Sequence, residues 1–283
     1  EIYKRCANIE VSKNSDSVEI PYVNETSRAN GSRWGGIRTY REGEIDTPTA
    51  TKPTFGKWEC KITDIKSLVY ATDRMLEDSS LLESVIKEAM KEEFAFKIDD
   101  EILNGEGGAA CKGIIGDTAT VSVAKESGQS AATIVYENIL NMHSRCYAKS
   151  RKKAVWLINQ NTEPQLYAMS LSVGTGGVPV YMPANGISGL PFATLFGRPV
   201  IAVEQCQTLG TVGDIILADF SQYQLVKKGG LKSAVSIHVR FLNNEQVFRF
   251  NWRINGKPKW ASALTPKNGS STVSPFVTLA TRS

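Results

Sequence analysis

One row of apolar residues constrains the fold of this chain more than any other feature. The row is spaced four residues apart and consists of Leu82, Ile86, Met90, Phe94, Ile98 and Ile102. This spacing predicts one long helix over residues 81–104, about 36 Å long at 1.5 Å per residue. Ser80 and Glu83 form a capping box at its start, and Gly105 is expected to end it in the left-handed conformation. Since four residues turn a helix by about 400°, the row winds slowly around it, which favours a helix laid obliquely across a sheet.

Strand patterns dominate the chain after residue 198. Gly229-Gly230 and Asn243-Asn244 are turn signals, and Asn255-Gly256 predicts a further hairpin turn. Together with the long helix, these strands predict an α+β fold. The strand patterns cover residues 199–203, 214–217, 223–226, 234–241 and 248–254.

Shorter elements are predicted between the long helix and these strands. Val135, Ile139, Met142 and Cys146 have helical spacing, and the apolar run at 154–158 is typical of a buried strand. A short helix capped by Thr162 is expected to follow, with Pro164 in its first turn. Residues 172–189 carry five glycines and two prolines, which predicts a mobile surface loop.

The first 60 residues predict an extended arm. Apolar and polar residues alternate over 18–23 and again near 37–40, and a strand-like segment follows at 55–69. The connection between them is polar and contains a glycine kink around Trp34-Gly35-Gly36. Because such a segment has little apolar surface to bury on itself, we expect a neighbouring molecule to order it, with Trp34 as the anchor.

Bulk composition excludes several classes of protein. The chain has 33 basic and 29 acidic residues, a net charge of +4, which is too small an excess for a dedicated nucleic-acid reader. Its five cysteines are widely spaced without a Cys-x-x-Cys pair, so neither a disulfide framework nor a zinc knuckle is expected. No apolar run reaches the ~18 residues that cross a bilayer, so no membrane partner is expected. The chain begins at Glu1 and not at methionine, and we expect a segment upstream.

Catalytic chemistry has weak support in the sequence, and we predict no catalytic, cofactor or metal site. His143 and His238 have no accompanying ligand spacing, and no Gly-x-Ser-x-Gly motif is present. The glycines of Gly105–Gly113 and Lys112 suggest a phosphate loop, but the predicted helix precedes this segment where a strand is needed. A nucleotide-dependent enzyme built on this loop remains the alternative from another class of protein.

The order of these elements resembles the major capsid proteins of tailed bacteriophages, which share the Hong Kong 97 fold. The resemblance covers most of the chain, and its motifs are individually weak but occur together in the family order. The matching segments are residues 54–115, with Ala71-Thr72-Asp73-Arg74-Met75-Leu76-Glu77-Asp78 and Ile102-Leu103-Asn104-Gly105-Glu106-Gly107; Trp156-Leu157-Ile158-Asn159; residues 195–200 with 213–220; and residues 244–266.

The resemblance implies a division of the chain into domains. Residues 1–19 would be an N-terminal segment, and residues 20–60 the E-loop, here called the arm, which lies on a neighbouring subunit. The peripheral domain would comprise 61–106, with the long helix as its spine, and the strands of 226–257. The axial domain would comprise 107–225, with a C-terminal return at 258–283. An assembly interface is expected at Arg28, Arg33, Trp34, Arg38, Asn244 and Arg253.

The resemblance also implies a function without catalysis. Copies of the chain would form hexamers and pentamers of an icosahedral shell that encloses double-stranded DNA in the virion, after synthesis in the cytoplasm of the bacterial host. The packaged DNA would be contacted non-specifically, and the portal, a scaffold or protease, and cement proteins would be further partners. An encapsulin-like nanocompartment is the alternative within the same fold.

One departure from the family concerns covalent cross-links. Family members that weld their shells use a lysine in the arm, an asparagine on a neighbour and a nearby glutamate. Alignment places these positions near Thr47 or Pro48, Asn244 and Asn251 respectively. Only the asparagine is present, so we expect a shell held by noncovalent contacts, with Lys52 as a remote candidate for the lysine.

Overall fold

The computed structural model of the chain describes residues 2–12, 14–23, 25–29, 32–41, 43–44, 47, 49–78, 81–173, 176–179 and 194–282. The helices are α1 (Asp73–Asp78), α2 (Leu82–Asn104), α3 (Tyr136–Arg145) and α4 (Glu163–Ala168). The strands are β1 (Ala7–Glu10), β2 (Ser17–Val23), β3 (Phe55–Lys61), β4 (Thr63–Thr72), β5 (Val121–Val123), β6 (Val155–Ile158), β7 (Ser170–Val173), β8 (Gly176–Pro179), β9 (Thr194–Leu195), β10 (Arg198–Ala202), β11 (Ile215–Ala218), β12 (Tyr223–Arg240), β13 (Glu245–Pro258) and β14 (Phe276–Leu279). The predicted α+β class is confirmed.

The chain forms two compact units, each assembled from three separate segments. The first unit contains Glu1–Ile20, Glu59–Gly113 and Tyr223–Lys257, and the second contains Pro21–Trp58, Ile114–Gln222 and Pro258–Ser283. The boundary after Ile20 falls within β2 and the boundary after Trp58 falls within β3, and these two strands form a two-stranded sheet.

The first unit is a four-stranded sheet covered by the long helix. The strand order is β1-β12-β13-β4, with β1 parallel to β12 and β13 antiparallel to β4. Phe94 of α2 is only 3 % exposed and packs with Ala71, Phe248 and Phe250 of the sheet. Ile86, Met90 and Phe94 of the apolar row therefore lie against the sheet, as the spacing predicted. The partly buried residues packed against this cluster are Ile65, Val69, Leu76, Ile86, Met90, Leu231 and Trp252.

Both ends of α2 differ in detail from the prediction. The helix begins at Leu82, and Leu81 occupies the N-cap position without a side-chain cap hydrogen bond. Ser80, the predicted cap, lies outside the described residues. Gly105 is extended, with φ −62° and ψ 140°, so the predicted left-handed ending is wrong. A glycine is nevertheless required there, because a Cβ would lie 2.2 Å from the Cys111 carbonyl oxygen and 2.5 Å from that of Glu101.

Two predicted turns lie inside long strands. Gly229-Gly230 lies within the continuous 18-residue strand β12, although Gly229 has a φ of +65°. Asn255-Gly256 lies within β13 and makes no hairpin turn. A Cβ on Gly256 would lie 2.6 Å from Leu225 Cδ2, so this glycine allows close packing of neighbouring strands. The predicted turn at Asn243-Asn244 is confirmed, and Asn244 is left-handed with φ 51°.

The second unit is built on a six-stranded sheet with the order β5-β14-β11-β6-β10-β9. Strands β6, β11 and β14 are buried along their whole length, which agrees with the continuous apolar run predicted as a buried strand. The predicted second helix is confirmed as α3, and its Ile139 and Met142 pack in the core of this unit.

Two segments of the second unit correct the sequence analysis. The short helix α4 forms with a proline in its first turn, but the Thr162 side chain does not cap it. Part of the predicted loop at 172–189 is instead a hairpin, because β7 pairs antiparallel with β8. Residues 174–175 and 180–189 of that prediction lie outside the described residues.

A fully buried ion pair lies near the C-terminal end of the second unit. The guanidinium of Arg282 contacts the carboxylate of Asp214, and both side chains are 0 % exposed. Asp214 also accepts hydrogen bonds from the N–H groups of Gly210, at 2.9 Å, and Ile215, at 2.8 Å. These additional donors satisfy the carboxylate, which a buried charge requires.

Candidate assembly interface

The described connection within the arm exposes large apolar side chains. Trp34 is 52 % exposed, and Ile37 and Tyr40 are each 46 % exposed. The described residues of 37–40 form no strand, so the alternation seen there did not predict the structure. Thr54 donates from its backbone N–H to the carbonyl oxygen of Gly35 at 3.0 Å and so closes the base of the connection. Gly35 is left-handed, with φ +71°, and a Cβ there would meet the Thr54 oxygen at 2.6 Å.

Arg28 is bound within its own chain. Its Nε lies 2.9 Å from Oε1 of Glu25, and its Nη2 donates to Oε2 of Glu25 at 3.0 Å. Nη2 also donates to the hydroxyl of Tyr147 at 3.0 Å, and the guanidinium lies 5.8 Å from the centre of that ring. These contacts hold the start of the arm against the rest of the second unit.

Trp34 and Arg28 line one cavity of about 270 Å³ in the second unit. Its aromatic wall includes Tyr147 and Trp260, whose rings meet edge to face at 5.2 Å. Lys149 and Lys259 also line it, so cations outnumber carboxylates. Of the six predicted interface residues, Arg28 and Trp34 therefore lie together at this cavity.

Arg33 and Arg38 lie in the exposed connection near Trp34. Within the described part of the chain, neither side chain forms an ion pair. The Arg38 backbone N–H donates to Oγ1 of Thr51 at 3.5 Å, and the residue itself is exposed. Among the described residues, this part of the arm therefore presents two cations without an ion pair beside exposed aromatic surface.

Asn244 directly precedes β13, and Arg253 lies within that strand, nine residues further along the chain. A strand rises about 3.3 Å per residue, so roughly 30 Å separates them. Asn244 accepts a hydrogen bond on its carbonyl oxygen from the Asp73 N–H at 2.9 Å. Arg253 is paired with Asp64 at 2.9 Å and with Asp16 at 3.3 Å. Hydrogen bonding from Lys228 and the nearby charges of Lys228 and Arg253 lower the pKa of Asp16.

An exposed apolar row that was not predicted from the sequence lies on the last residues of β12 and on the turn that follows the strand. We call Val235, Ile237, Val239, Phe241 and Leu242 the edge row; each is 47 % exposed or more, and Leu242 is 95 % exposed. β1 pairs only with residues 224–227 of β12, so it does not cover this part of the strand. The alternation of Val235, Ile237 and Val239 was the available signal, but alternation alone does not distinguish a buried face from an exposed one.

Burial dominates the pKa shifts of three cysteines and of His143. Burial raises the pKa of Cys60 and Cys146 to about 11 and that of Cys206 to about 12, so these thiols are protonated at neutral pH. Burial lowers the pKa of His143, whose ring stacks on Phe196 at 5.0 Å. Within the described ranges, no group of three or more His, Cys, Asp or Glu side chains is placed to hold a metal ion.

The loop Gly105–Gly113 does not have the surroundings of a nucleotide-binding phosphate loop. It follows α2, and the next helix, α3, begins only at Tyr136. The loop closes on itself through a bridge between Glu106 and Lys112 and a hydrogen bond from the Gly113 N–H to the Gly105 oxygen at 2.7 Å. No described helix N-terminus therefore directly follows this loop, as the nucleotide-binding motifs require.

Similar folds occur in solved shell structures. The chain is similar to "Capsid of native GTA particle computed with C5 symmetry", with a TM-score of 0.73 and 16 % identity over 100 % of this chain and 90 % of that chain. Microbacterium phage Oxtober96 gives a TM-score of 0.65 and 12 % identity over 99 % and 90 % of the two chains. The holo-SrpI encapsulin complex from Synechococcus elongatus gives a TM-score of 0.59 and 9 % identity, over 98 % of this chain and 85 % of that chain. These similarities define the fold as the Hong Kong 97 capsid fold.

Fold and surface together define a shell-forming structural protein. The model of the phage capsid family matches residues 2–268, nearly the whole chain. The chain therefore belongs to the phage capsid family, and it is a major capsid protein that associates with copies of itself in the virion capsid. No curated protein matches the sequence. The helices among the described residues are too short or too polar to cross a membrane.

Proposed function

We propose that this chain is made in the cytoplasm of a bacterial host and assembles into hexamers and pentamers of an icosahedral shell around double-stranded phage DNA. The observation that best supports this proposal is that the arm exposes basic and aromatic side chains. Trp34, Ile37 and Tyr40 are about half exposed beside Arg33 and Arg38. Apolar surface of this kind is stabilised when a neighbouring molecule covers it.

The first unit then corresponds to the peripheral domain, with α2 as its spine, and the second unit to the axial domain with the arm. The segments of the two units support this division, because the chain changes unit near residues 20, 58, 113, 222 and 257. Trp34, Arg33 and Arg38 act as the part of the arm that reaches a neighbour. Arg28 fixes the start of the arm to its own subunit through Glu25 and Tyr147.

Asn244 and Arg253 take different places in this assembly. Asn244 lies beside the edge row at an exposed turn, where a neighbouring subunit has access. Arg253 stays in its own subunit, where two carboxylates already pair with it. The portal, a scaffold or protease, cement proteins and packaged DNA are the further partners of this proposal.

Replacing Trp34 by alanine tests the role of the arm. We expect Trp34→Ala to prevent shell formation while the unassembled subunit keeps its melting temperature, since the ring is half exposed. Tyr167→Ala is the matched control, because Tyr167 is 46 % exposed in the same unit but lies outside the arm. Negative-stain imaging and sedimentation measure assembly. Normal shells from Trp34→Ala would contradict the proposal.

The content of native particles tests the role of the shell. Nuclease-protected double-stranded DNA inside purified particles is expected. Particles that instead contain only protein cargo would favour the nanocompartment alternative, whose fold is shared by an encapsulin complex.

A further inference from the structure

We propose that the first unit holds a binding site for a phosphate group, formed by Lys61, Lys112 and Lys257 around the glycine loop at Gly107-Gly108. These residues line one cavity of about 180 Å³. A water molecule occupies about 30 Å³ in the liquid, so the cavity has room for a small oxyanion. The site goes beyond shell assembly and does not depend on it.

The charges around the cavity favour an anion. Three lysines and one carboxylate, that of Glu59, line it. Lys61 and Lys112 form no ion pair with any described carboxylate. Charge-assisted hydrogen bonds from ammonium groups to phosphate oxygens are stronger than those between neutral groups. An oxyanion is thus the ligand that these side chains select.

The glycine loop lies against the side-chain stem of Lys112. A Cβ on Gly107 would lie 3.0 Å from Cδ of Lys112, so the lysine stem lies against the space that this glycine leaves. Gly107 and Gly108 have φ values of +86° and +74°, which favour glycine at both positions. The Gly108 N–H has no hydrogen-bond acceptor among the described residues and is available to a ligand.

Hydrogen bonds fix the walls of the cavity before any ligand arrives. Asn255, which is 5 % exposed, donates from Nδ2 to the carbonyl oxygen of Lys61 at 2.8 Å and to that of Gly108 at 3.4 Å. The Tyr223 hydroxyl donates to the Lys112 carbonyl oxygen at 2.8 Å. One buried amide therefore joins two walls, and a buried phenol holds the third. Preorganisation of this kind reduces the cost of binding.

The third lysine lies near a buried thiol. Burial raises the pKa of Cys60 to about 11, and the charge of Lys257 acts in the opposite direction. The Lys257 charge is therefore close to the Cys60 wall of the cavity and adds a third cation to the site.

Phosphate groups reach such a site either as free phosphate or as the phosphodiesters of nucleic acid. Two titrations of the unassembled full-length chain distinguish these sources. Calorimetry with inorganic phosphate reports the first, and fluorescence anisotropy with a short labelled DNA duplex over a series of salt concentrations reports the second. The variants are Lys61→Met and Lys112→Met, which keep an apolar stem. Lys232→Met is the matched control, because Lys232 is exposed on β12 and loses the same charge.

We expect each cavity variant to weaken phosphate binding about tenfold, a loss of about 1.4 kcal/mol, while Lys232→Met leaves it unchanged. If the source is nucleic acid, DNA affinity falls in the same two variants, and its salt slope decreases by about 0.9 per lost contact. If DNA affinity is unaffected, free phosphate is the ligand.

Equal effects from the cavity variants and the control would overturn the site, as would the absence of any binding to the unaltered chain. Melting temperatures show whether each variant is folded. If Lys112→Met does not fold, Lys61→Met alone tests the site, because Lys61 is exposed. The measurements use unassembled chains, so their failure leaves the shell proposal intact.

Discussion

Replacing Phe94 by alanine is the most direct test of how α2 stabilises the first unit. A phenylalanine ring buries about 150–250 Å². At about 25 cal/mol per Å², this burial contributes roughly 4–6 kcal/mol. The ring is 3 % exposed and lies among Ala71, Phe248 and Phe250, so little relaxation is available to fill the space. Since alanine retains one carbon, we expect Phe94→Ala to lower the free energy of unfolding by about 3–5 kcal/mol.

The assay is thermal and urea unfolding of the unassembled chain at one fixed protein concentration, because association would add stability of its own. A loss of about 3–5 kcal/mol lowers the melting temperature by roughly 6–20 °C in a domain of this size. Trp252, which packs at the margin of the same cluster, provides a fluorescence signal for the first unit.

Phe96→Ala is the matched control on the same helix. Phe96 is 46 % exposed, and alanine is the better helix former, so we expect a change of less than about 1 kcal/mol. If Phe94→Ala melts no lower than Phe96→Ala, the reasoning from burial on the sheet is refuted.

Three further predictions concern the shell and the second unit. Boiled, reduced particles should give one band near the 31.0 kDa chain mass on a denaturing gel, because the family resemblance puts Thr47 or Pro48 and Asn251 where cross-linking members carry the lysine and the glutamate; a ladder of multiples would contradict this. Trypsin should cut the unassembled chain at Arg33 and Arg38 before Arg28, which its ion pair protects, and none of the three should be cut rapidly in particles. Arg282→Met should cost about 3–5 kcal/mol in unfolding experiments, since it leaves the Asp214 carboxylate buried without its cation; the double variant with Asp214→Leu should recover part of the loss, and a neutral single variant would argue against the buried pair.

The elements that the sequence predicted well are those with a strong local period. The four-residue row of α2 and the buried run of β6 both appear at nearly the expected positions. The errors occurred at glycines whose role depends on distant residues. Gly105 is needed because the Cys111 oxygen approaches it, and Gly256 because Leu225 does. A two-residue turn signal contains no information about such contacts, and tertiary packing overrode it.

The candidate interface could be predicted only in part for a similar reason. An exposed Trp34 follows from a polar segment that has little to bury it. Arg28 has the same sequence character as Arg33, yet it bonds to Tyr147, 119 residues away. The edge row was missed because Val235 and Ile237 alternate as residues of a buried face would. The cavity at Gly107 joins three lysines that are far apart along the chain, and no local motif connects them.

Strand β1 also determines when the first unit can be completed during synthesis. Gln224 donates from Nε2 to the Ala7 carbonyl oxygen across 217 residues, and β1 pairs in parallel with β12. At the ~5–20 residues per second of a ribosome, β1 emerges roughly 10–40 s before its partner is made. A nascent chain also carries α2 without β12 and β13 for roughly 6–24 s at the same rate, since β12 begins at Tyr223 and α2 ends at Asn104. Translation speed and nascent-chain chaperones in the host are therefore expected to influence the yield of soluble subunit.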